Sequence, residues 1–365
     1  MPRTRIAFTV INDLRSDQRM DRICTTLSQA GYEVTLVGRL LPHSLPLLEK
    51  PYRQVRITCA NHTGKLFYAE YTLRLWNWWK NNPQDIYGSV DADTLAPAVY
   101  WGNKRNKPVV WDAHEYFSEV PEVQNRPLIK AFWQFIEKKY IPSVTVAYTV
   151  GPALADLFTE LYQIPFGVIR NMPFRKMDIN IPLNTEPPFI LYQGALNKGR
   201  GLESLIEALP HLPCKVKIAG EGDISAQLKA QVINSGWSDY IDFLGFLSPE
   251  KLKEITPHAF LGYNLLENIG LSYYYSLSNK FFDYAQAGVP SLNNNFPEYA
   301  RLIQEYPTGV LLDSIQPKNI IEKINELWNS PEKYAALKSA CNSAAEIWNW
   351  EKESQKLLEL LAPLK

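Results

Sequence analysis

Short apolar runs, each followed by a polar turn and a helix-like stretch, alternate from Arg5 into the last third of the chain, and this alternation limits the fold more than any other feature. It is the pattern of an open α/β sheet. Strands are expected at Arg5–Val10, Glu33–Gly38, Val55–Cys59, Asp85–Val90, Val109–Asp112 and Val144–Thr149. A second series runs Phe189–Tyr192, Val216–Ala219, Ile241–Phe246, Ala259–Asn264, Leu292–Pro297 and Gly309–Leu312. Between the two series, Ile164 to Pro188 holds five prolines and little helical periodicity, which marks a linker after one last strand at Gly167–Arg170. With 365 residues the chain is too long for one ordinary core. We therefore expect two α/β domains, 1–174 and 175–365, with a ligand site in the crevice between them. The segment 347–361 carries Trp348, Trp350, Leu357, Leu358 and Leu361 at helical spacing, either as the second domain's own last helix or crossing back to the first.

Charge excludes one class of partner. Lys plus Arg and Asp plus Glu both number 38, so no long-range field recruits nucleic acid. Cys24, Cys59, Cys214 and Cys341 form no C-x-x-C pair, which fits reduced thiols in a cytoplasm. The opening MPRTRIAFTVIND reads as a strand and polar turn without the apolar region of a signal peptide, and no apolar run reaches bilayer-spanning length. Leu66 to Lys80 nevertheless concentrates three of the ten tryptophans beside Arg74 and Lys80. Such a helix packs into a core or lies in a membrane interface, so peripheral contact with the inner membrane face stays open.

Chemistry-bearing residues fall at strand ends, where ligands bind in this architecture. The first βα turn, TVINDLRSDQRM, has no glycine, which excludes the G-x-G-x-x-G dinucleotide cradle. Its Asn12, Asp13, Asp17 and Arg19 are either a solvated cap or acceptor-side contacts. Asp91-Ala92-Asp93 is a short D-x-D string, read as a strand-end loop, and no metal site is expected. Asp112-Ala113-His114-Glu115 ends an apolar strand with titratable groups, and a neighbouring carboxylate orients or charges the imidazole.

The second series opens with a strand, a loop (Gly194 to Gly201, with Gly199, Lys198 and Arg200) and a helix start. Glycines let backbone N–H groups approach a phosphate while the cations neutralise it, although the P-loop spacing is absent. Gly220-Glu221-Gly222 is a second glycine turn. Ser276 to Leu292, SLSNKFFDYAQAGVPSL, describes a short helix stopped by Gly288 and Pro290. Asn279, Lys280, Asp283 and Tyr284 share one face, while Phe281, Phe282 and Ala285 can enter a core. A helix N-terminus suits an anion, and an acid one turn further in can accept from sugar hydroxyls.

That stretch resembles the donor-site helix of GT-B glycosyltransferases, family 4-like, in a bacterial subgroup with N-K-[hydrophobic]-F-[D/E]-Y-x-x-x-G-x-P. NDL…DQRM, DAHEYFSEVPE and YQGALNKGRGLE resemble other parts of the subgroup. The resemblance implies two Rossmann-like domains facing each other across a cleft, with a nucleotide-diphosphate sugar as donor substrate and no cofactor. It places Asp283 on the ribose, His114 at the donor sugar, Arg200 with Lys198 on the diphosphate, and the Glu221 turn near the base. The sequence departs from the common form at Ala195, where an arginine is usual, and at Tyr275, where a first glutamate is usual and Glu267 is the nearest acid.

The expected function is transfer of a sugar to a saccharide or lipid-linked saccharide, retaining and metal-independent, in cell-surface polysaccharide or glycolipid synthesis. His114, Arg200 and Lys198 are the catalytic candidates, with Glu115 on the acceptor side. Two rivals remain: a non-hydrolysing sugar-nucleotide epimerase, and a binding module without turnover.

Overall fold

A computed structural model describes residues 3–15, 17–175 and 187–365. The chain divides into two compact units, 1–171 with 353–365, and 172–352. The sequence boundary near 175 lies a few residues beyond this division, and most of the proline-rich stretch, 176–186, lies outside the described residues.

The first unit is built on seven parallel strands: β1 Arg5–Thr9, β2 Glu33–Leu40, β3 Arg53–Thr58, β4 Ile86–Val90, β5 Val109–Ala113, β6 Val146–Thr149 and β7 Phe166–Val168, in the order β3-β2-β1-β4-β5-β6-β7. Every residue of β4 and β5 is buried, as expected for parallel strands covered by helices on both faces. The second unit repeats the plan with β8 Phe189–Gln193, β9 Lys215–Ala219, β10 Ile241–Gly245, β11 Leu261–Asn264, β12 Ser291–Asn294 and β13 Gly309–Leu312, ordered β10-β9-β8-β11-β12-β13. In both sheets the order reverses beside the first strand, between β1 and β4 and between β8 and β11. Loops leaving the carboxyl ends of strands diverge at such a point and open a crevice.

The last helix, Trp350–Leu361, belongs to both units by sequence. Its later turns pack on the first: Leu357 and Leu361 are fully buried, a Cβ on Gly167 would lie 3.0 Å from Leu360, and Glu353 accepts from the Arg170 N–H at 2.7 Å. Trp348, just before it, packs instead against Phe281, Phe282 and Tyr306 in the second unit. The aromatic segment forms the helix Gly64–Asn81, which buries Phe67, Tyr71, Leu75 and Trp79 at a spacing of one helical turn and leaves Leu66 and Leu73 exposed. No described helix is long and apolar enough to cross a membrane.

Candidate functional site

In the second unit three loops at the strand ends are stitched together. Gly194 N–H donates to Ala219 O at 3.0 Å, Leu196 N–H to Glu221 O at 3.2 Å, and Glu267 N–H to Gly199 O at 2.9 Å. The approach of the first two loops requires glycine at 220, where φ is 155° and a Cβ would sit 1.8 Å from Gly194 O. Gly199 is needed for a similar reason: φ is 84° and a Cβ would lie 2.6 Å from Ile269. On either side of the turn at Gly199, Arg200 is half-buried and Lys198 is exposed.

Arg200 is half-buried, with its guanidinium carbon 5.2 Å from the centre of the Tyr273 ring and its Nε buried without a hydrogen-bond partner. Near it lies Lys280, on the first turn of the helix Asn279–Gln286. Lys280 is only 7% exposed, and its ammonium stands 4.2 Å from the Tyr192 ring. Burial, then the charge of Arg200, holds Lys280 well below the ordinary lysine range. Among the described residues no carboxylate pairs with either cation. The helix itself has no side-chain cap, and the Ser278 hydroxyl donates to Asn264 at 2.7 Å. Two cations without counter-ions therefore stand at the start of a helix that has no side-chain cap, a combination that favours a dianionic ligand.

The acids and amides around this place are ordered. Gln193 Nε2 donates to Asp283 at 3.3 Å, and Thr256 donates to Gln193 Oε1 at 2.9 Å, so β8 orients the carboxylate expected on the ribose. Glu267 is half-buried and raised by burial and by Glu203. Asn279 is exposed at the helix start, and Glu221 is exposed and paired with Lys229 at 3.0 Å. Tyr275 packs edge-on against Tyr274, with ring centres 5.1 Å apart. The sequence reading overlooked the amides beneath: Asn264 donates to Asn293 at 2.7 Å, while Asn294 accepts from Leu266 N–H at 2.6 Å and donates to Leu266 O at 2.9 Å. Asn293-Asn294-Asn295 after an apolar residue was the available hint, since buried amides at strand ends fix loops.

The first unit holds a separate charged cluster at the ends of β4 and β5. Arg19 donates twice to the fully buried Asp112, Nε at 3.0 Å and Nη2 at 2.7 Å, and its Nη1 donates to Ile169 O at 2.8 Å. His114 Nε2 lies 3.2 Å from the same carboxylate, while Asp91 accepts from the His114 N–H at 2.8 Å and stands 3.7 Å from Nδ1. Asp91 reaches it from left-handed backbone, φ 54°, pinned by Trp111 Nε1 donating to Asp91 O at 2.9 Å. Burial opposes ionisation of Asp112, but Arg19 and His114 outweigh it and hold the carboxyl at about 2. Burial likewise opposes the imidazolium, but Asp112 and Asp91 raise His114 to about 9. The second acid of the D-x-D string, Asp93, is buried and raised well above the carboxylate range, first by burial and then by Asp91.

The remaining loop residues mostly brace one another. Asn12 donates to Asp17 at 2.7 Å, Asp17 caps the helix Gln18–Gln29 through Met20 N–H at 2.9 Å, and Asp13 accepts from Ser44 at 3.1 Å with Arg56 at 3.7 Å. Arg19, expected on the acceptor side, thus serves as the counter-ion of Asp112, and Glu115 is exposed next to His114. One consequence is measurable. Because His114 is raised above the unfolded value of 6.5, its stabilising contribution is full below that pH and is lost as pH rises through about 9. A ring-carbon NMR titration should place the His114 midpoint near 9 and lower it in Asp91→Asn. A wild-type midpoint near the unfolded value would contradict the pairing.

Two parallel sheets that each reverse at the first strand are the plan of the GT-B fold. Residues 174–343 match the family model for glycosyl transferases group 1, and residues 18–172 match that for glycosyltransferase family 4. The chain belongs to the family 4-like GT-B glycosyltransferases, and it is an enzyme of that type. Among solved structures it is similar to a sucrose-phosphate synthase from Thermosynechococcus elongatus, at TM-score 0.79 and 15% identity over 99% of both chains. WaaG, a glycosyltransferase of lipopolysaccharide biosynthesis, matches at TM-score 0.74 and 15% identity over 97% of this chain and 99% of its own. Anabaena HepE in complex with UDP-glucose matches at 0.75 and 14% over 98% and 99%. No curated protein matches the chain by sequence.

Proposed function

We propose that the protein moves a sugar from a nucleoside-diphosphate sugar to a hydroxyl acceptor, with retention and without a metal ion. The observation that carries this reading is the pair Arg200 and Lys280, two cations lacking acidic partners at the start of an uncapped helix. Transfer releases a nucleoside diphosphate, and fixed positive charge stabilises that leaving group as it develops, which is the work a divalent ion does elsewhere. In the retaining route the leaving phosphate takes the acceptor proton, so no protein base is required. Asp283, oriented by Gln193, is assigned to the ribose and His114 to the donor sugar, with Lys198 at the loop rim. A similar fold that held UDP-glucose supports a nucleotide sugar as donor. A saccharide or lipid-linked saccharide as acceptor, cell-surface polysaccharide or glycolipid as product, and a cytoplasmic location with contact at the inner membrane face complete the reading.

The test is incubation with a panel of nucleotide sugars, with and without hydroxyl acceptors. Release of nucleoside diphosphate that depends on acceptor is expected. Ala195 and Tyr275, standing where an arginine and a glutamate are usual in the family, favour a binding module as second reading, and binding without turnover over the whole panel would support it. Conversion of the sugar nucleotide in the absence of acceptor would identify an epimerase.

Lys280→Met separates the ligand role from a packing role. Methionine fills the place under Tyr192 without a charge, so the ligand-free protein should gain about 1–3 kcal/mol of stability, the usual penalty for a buried polar group without a partner. Diphosphate affinity should fall about 10- to 100-fold, the worth of one charge-assisted hydrogen bond. The sign with pH is fixed: a lysine depressed in the folded state makes wild-type stability rise as pH climbs toward about 10.4, and this slope should vanish in the variant. A variant less stable than wild type, with unchanged affinity, would assign Lys280 to packing alone.

A further inference from the structure

The helix Pro127–Tyr140 turns three large apolar side chains outward: Leu128 is 85% exposed, Phe132 53% and Phe135 56%. They recur at i, i+4 and i+7, so they form one stripe along the solvent side. Trp133, between them in sequence, faces inward against Phe117 and against Tyr68 of the helix Gly64–Asn81, with ring centres at 4.8 and 5.5 Å. The stripe is thus a second apolar surface left over after the core contact has been made.

Charge around the stripe is one-sided. Lys138 and Lys139 lie exposed beside it, Lys130 on the far side is paired with Glu119 at 2.6 Å, and the helix's one acid, Glu137, is buried where Ser118 donates to it through its N–H at 3.1 Å and its hydroxyl at 2.7 Å, and Tyr162 at 3.1 Å. A chain with equal numbers of acids and bases has therefore placed two exposed lysines beside three exposed hydrophobics. Lys139 lies 5.4 Å from the Phe135 ring, and with Lys138, Gln134 and Ala131 the two line a shallow depression of about 390 Å³.

We propose that the solvent face of the helix Pro127–Tyr140 docks on an anionic lipid bilayer surface. The aromatic and leucine side chains enter the headgroup boundary while the lysine ammoniums stay at phosphate level, the arrangement long basic side chains adopt on amphipathic surfaces. A protein partner of matching shape would need acids opposite Lys138 and Lys139 and apolar pockets for three protruding side chains; a bilayer supplies both without specific shape. This extends the membrane contact proposed above and assigns it to a different element from the tryptophan-rich segment, and its assay reads lipid binding rather than transfer.

The experiment is co-sedimentation of the full chain with phosphatidylcholine vesicles, with and without phosphatidylglycerol. Pelleting is expected only with phosphatidylglycerol, weakening as salt is raised. Phe132→Ser with Phe135→Ser, and separately Lys138→Glu with Lys139→Glu, should each lower the bound fraction at least about tenfold, with melting temperature and nucleotide binding unchanged. Absence of pelleting with phosphatidylglycerol vesicles would overturn the proposal, as would variants that bind as wild type does. A salt-insensitive dimer in solution that the phenylalanine variant dissolves would also overturn it, giving the face to a second copy of the chain.

Discussion

Arg200→Ala lowers transfer by about 10²- to 10³-fold, the penalty for removing one preorganised group that meets developing charge. The loss should fall mainly on kcat, because the diphosphate carries more charge in the transition state than in the bound donor. The fold should survive. Arg200 has no carboxylate partner among the described residues; its recorded contact is the Tyr273 ring, and its removal relieves repulsion on Lys280. Lys280 should then titrate higher than in wild type. Steady-state kinetics beside a thermal melt provides the check: near-wild-type kcat in a folded Arg200→Ala protein would remove Arg200 from the chemistry.

Asp112→Ala is expected to destabilise the first unit by about 3–5 kcal/mol, as breaking a buried, doubly hydrogen-bonded ion pair does. Its carboxylate is fully buried and serves Arg19 and His114 together, so truncation leaves one guanidinium buried without its counter-ion and one imidazolium weakened. Replacing both ends, Arg19→Met with Asp112→Leu, should recover much of the loss, because the penalty lies in the orphaned charge rather than in the missing attraction. Urea denaturation measures both. The pH profile gives an independent reading. A carboxyl held at about 2 contributes stability above the ordinary value of 3.8 that is lost as pH falls through about 2, while His114 loses its contribution as pH rises through about 9. Asp112→Ala should flatten the acid limb and bring the basic limb to lower pH.

Residue periodicity predicted the strands well because parallel strands buried on both faces read as continuous apolar runs, and all thirteen expected segments overlap observed strands. The charged groups were less legible. Asn279, Lys280, Asp283 and Tyr284 share a helix face, and that face reads from sequence as polar and open. In the structure its Lys280–Tyr284 edge packs on β8: Tyr284 is fully buried and donates to Leu191 O at 2.8 Å, and Lys280, one turn earlier, is carried inward with it. A buried lysine leaves no trace in hydropathy, so its pairing with Arg200, rather than that of the exposed Lys198, became visible only in three dimensions. Arg19 and Asp112 are 93 positions apart, and no local spacing announces their contact. The polar turn around Asn12 and Asp17 was readable as a helix cap, and Asp17 caps the helix that follows.

The central claim is that Arg200 and Lys280 together hold a diphosphate. Titration calorimetry of a nucleoside diphosphate against the corresponding nucleoside, on wild type and on Arg200→Ala with Lys280→Met, measures it directly. The account predicts that wild type prefers the diphosphate and that the double variant loses at least about 100-fold of that preference, two charge-assisted contacts at once. Equal affinity of wild type for nucleoside and diphosphate, or a double variant that keeps the preference, would contradict it.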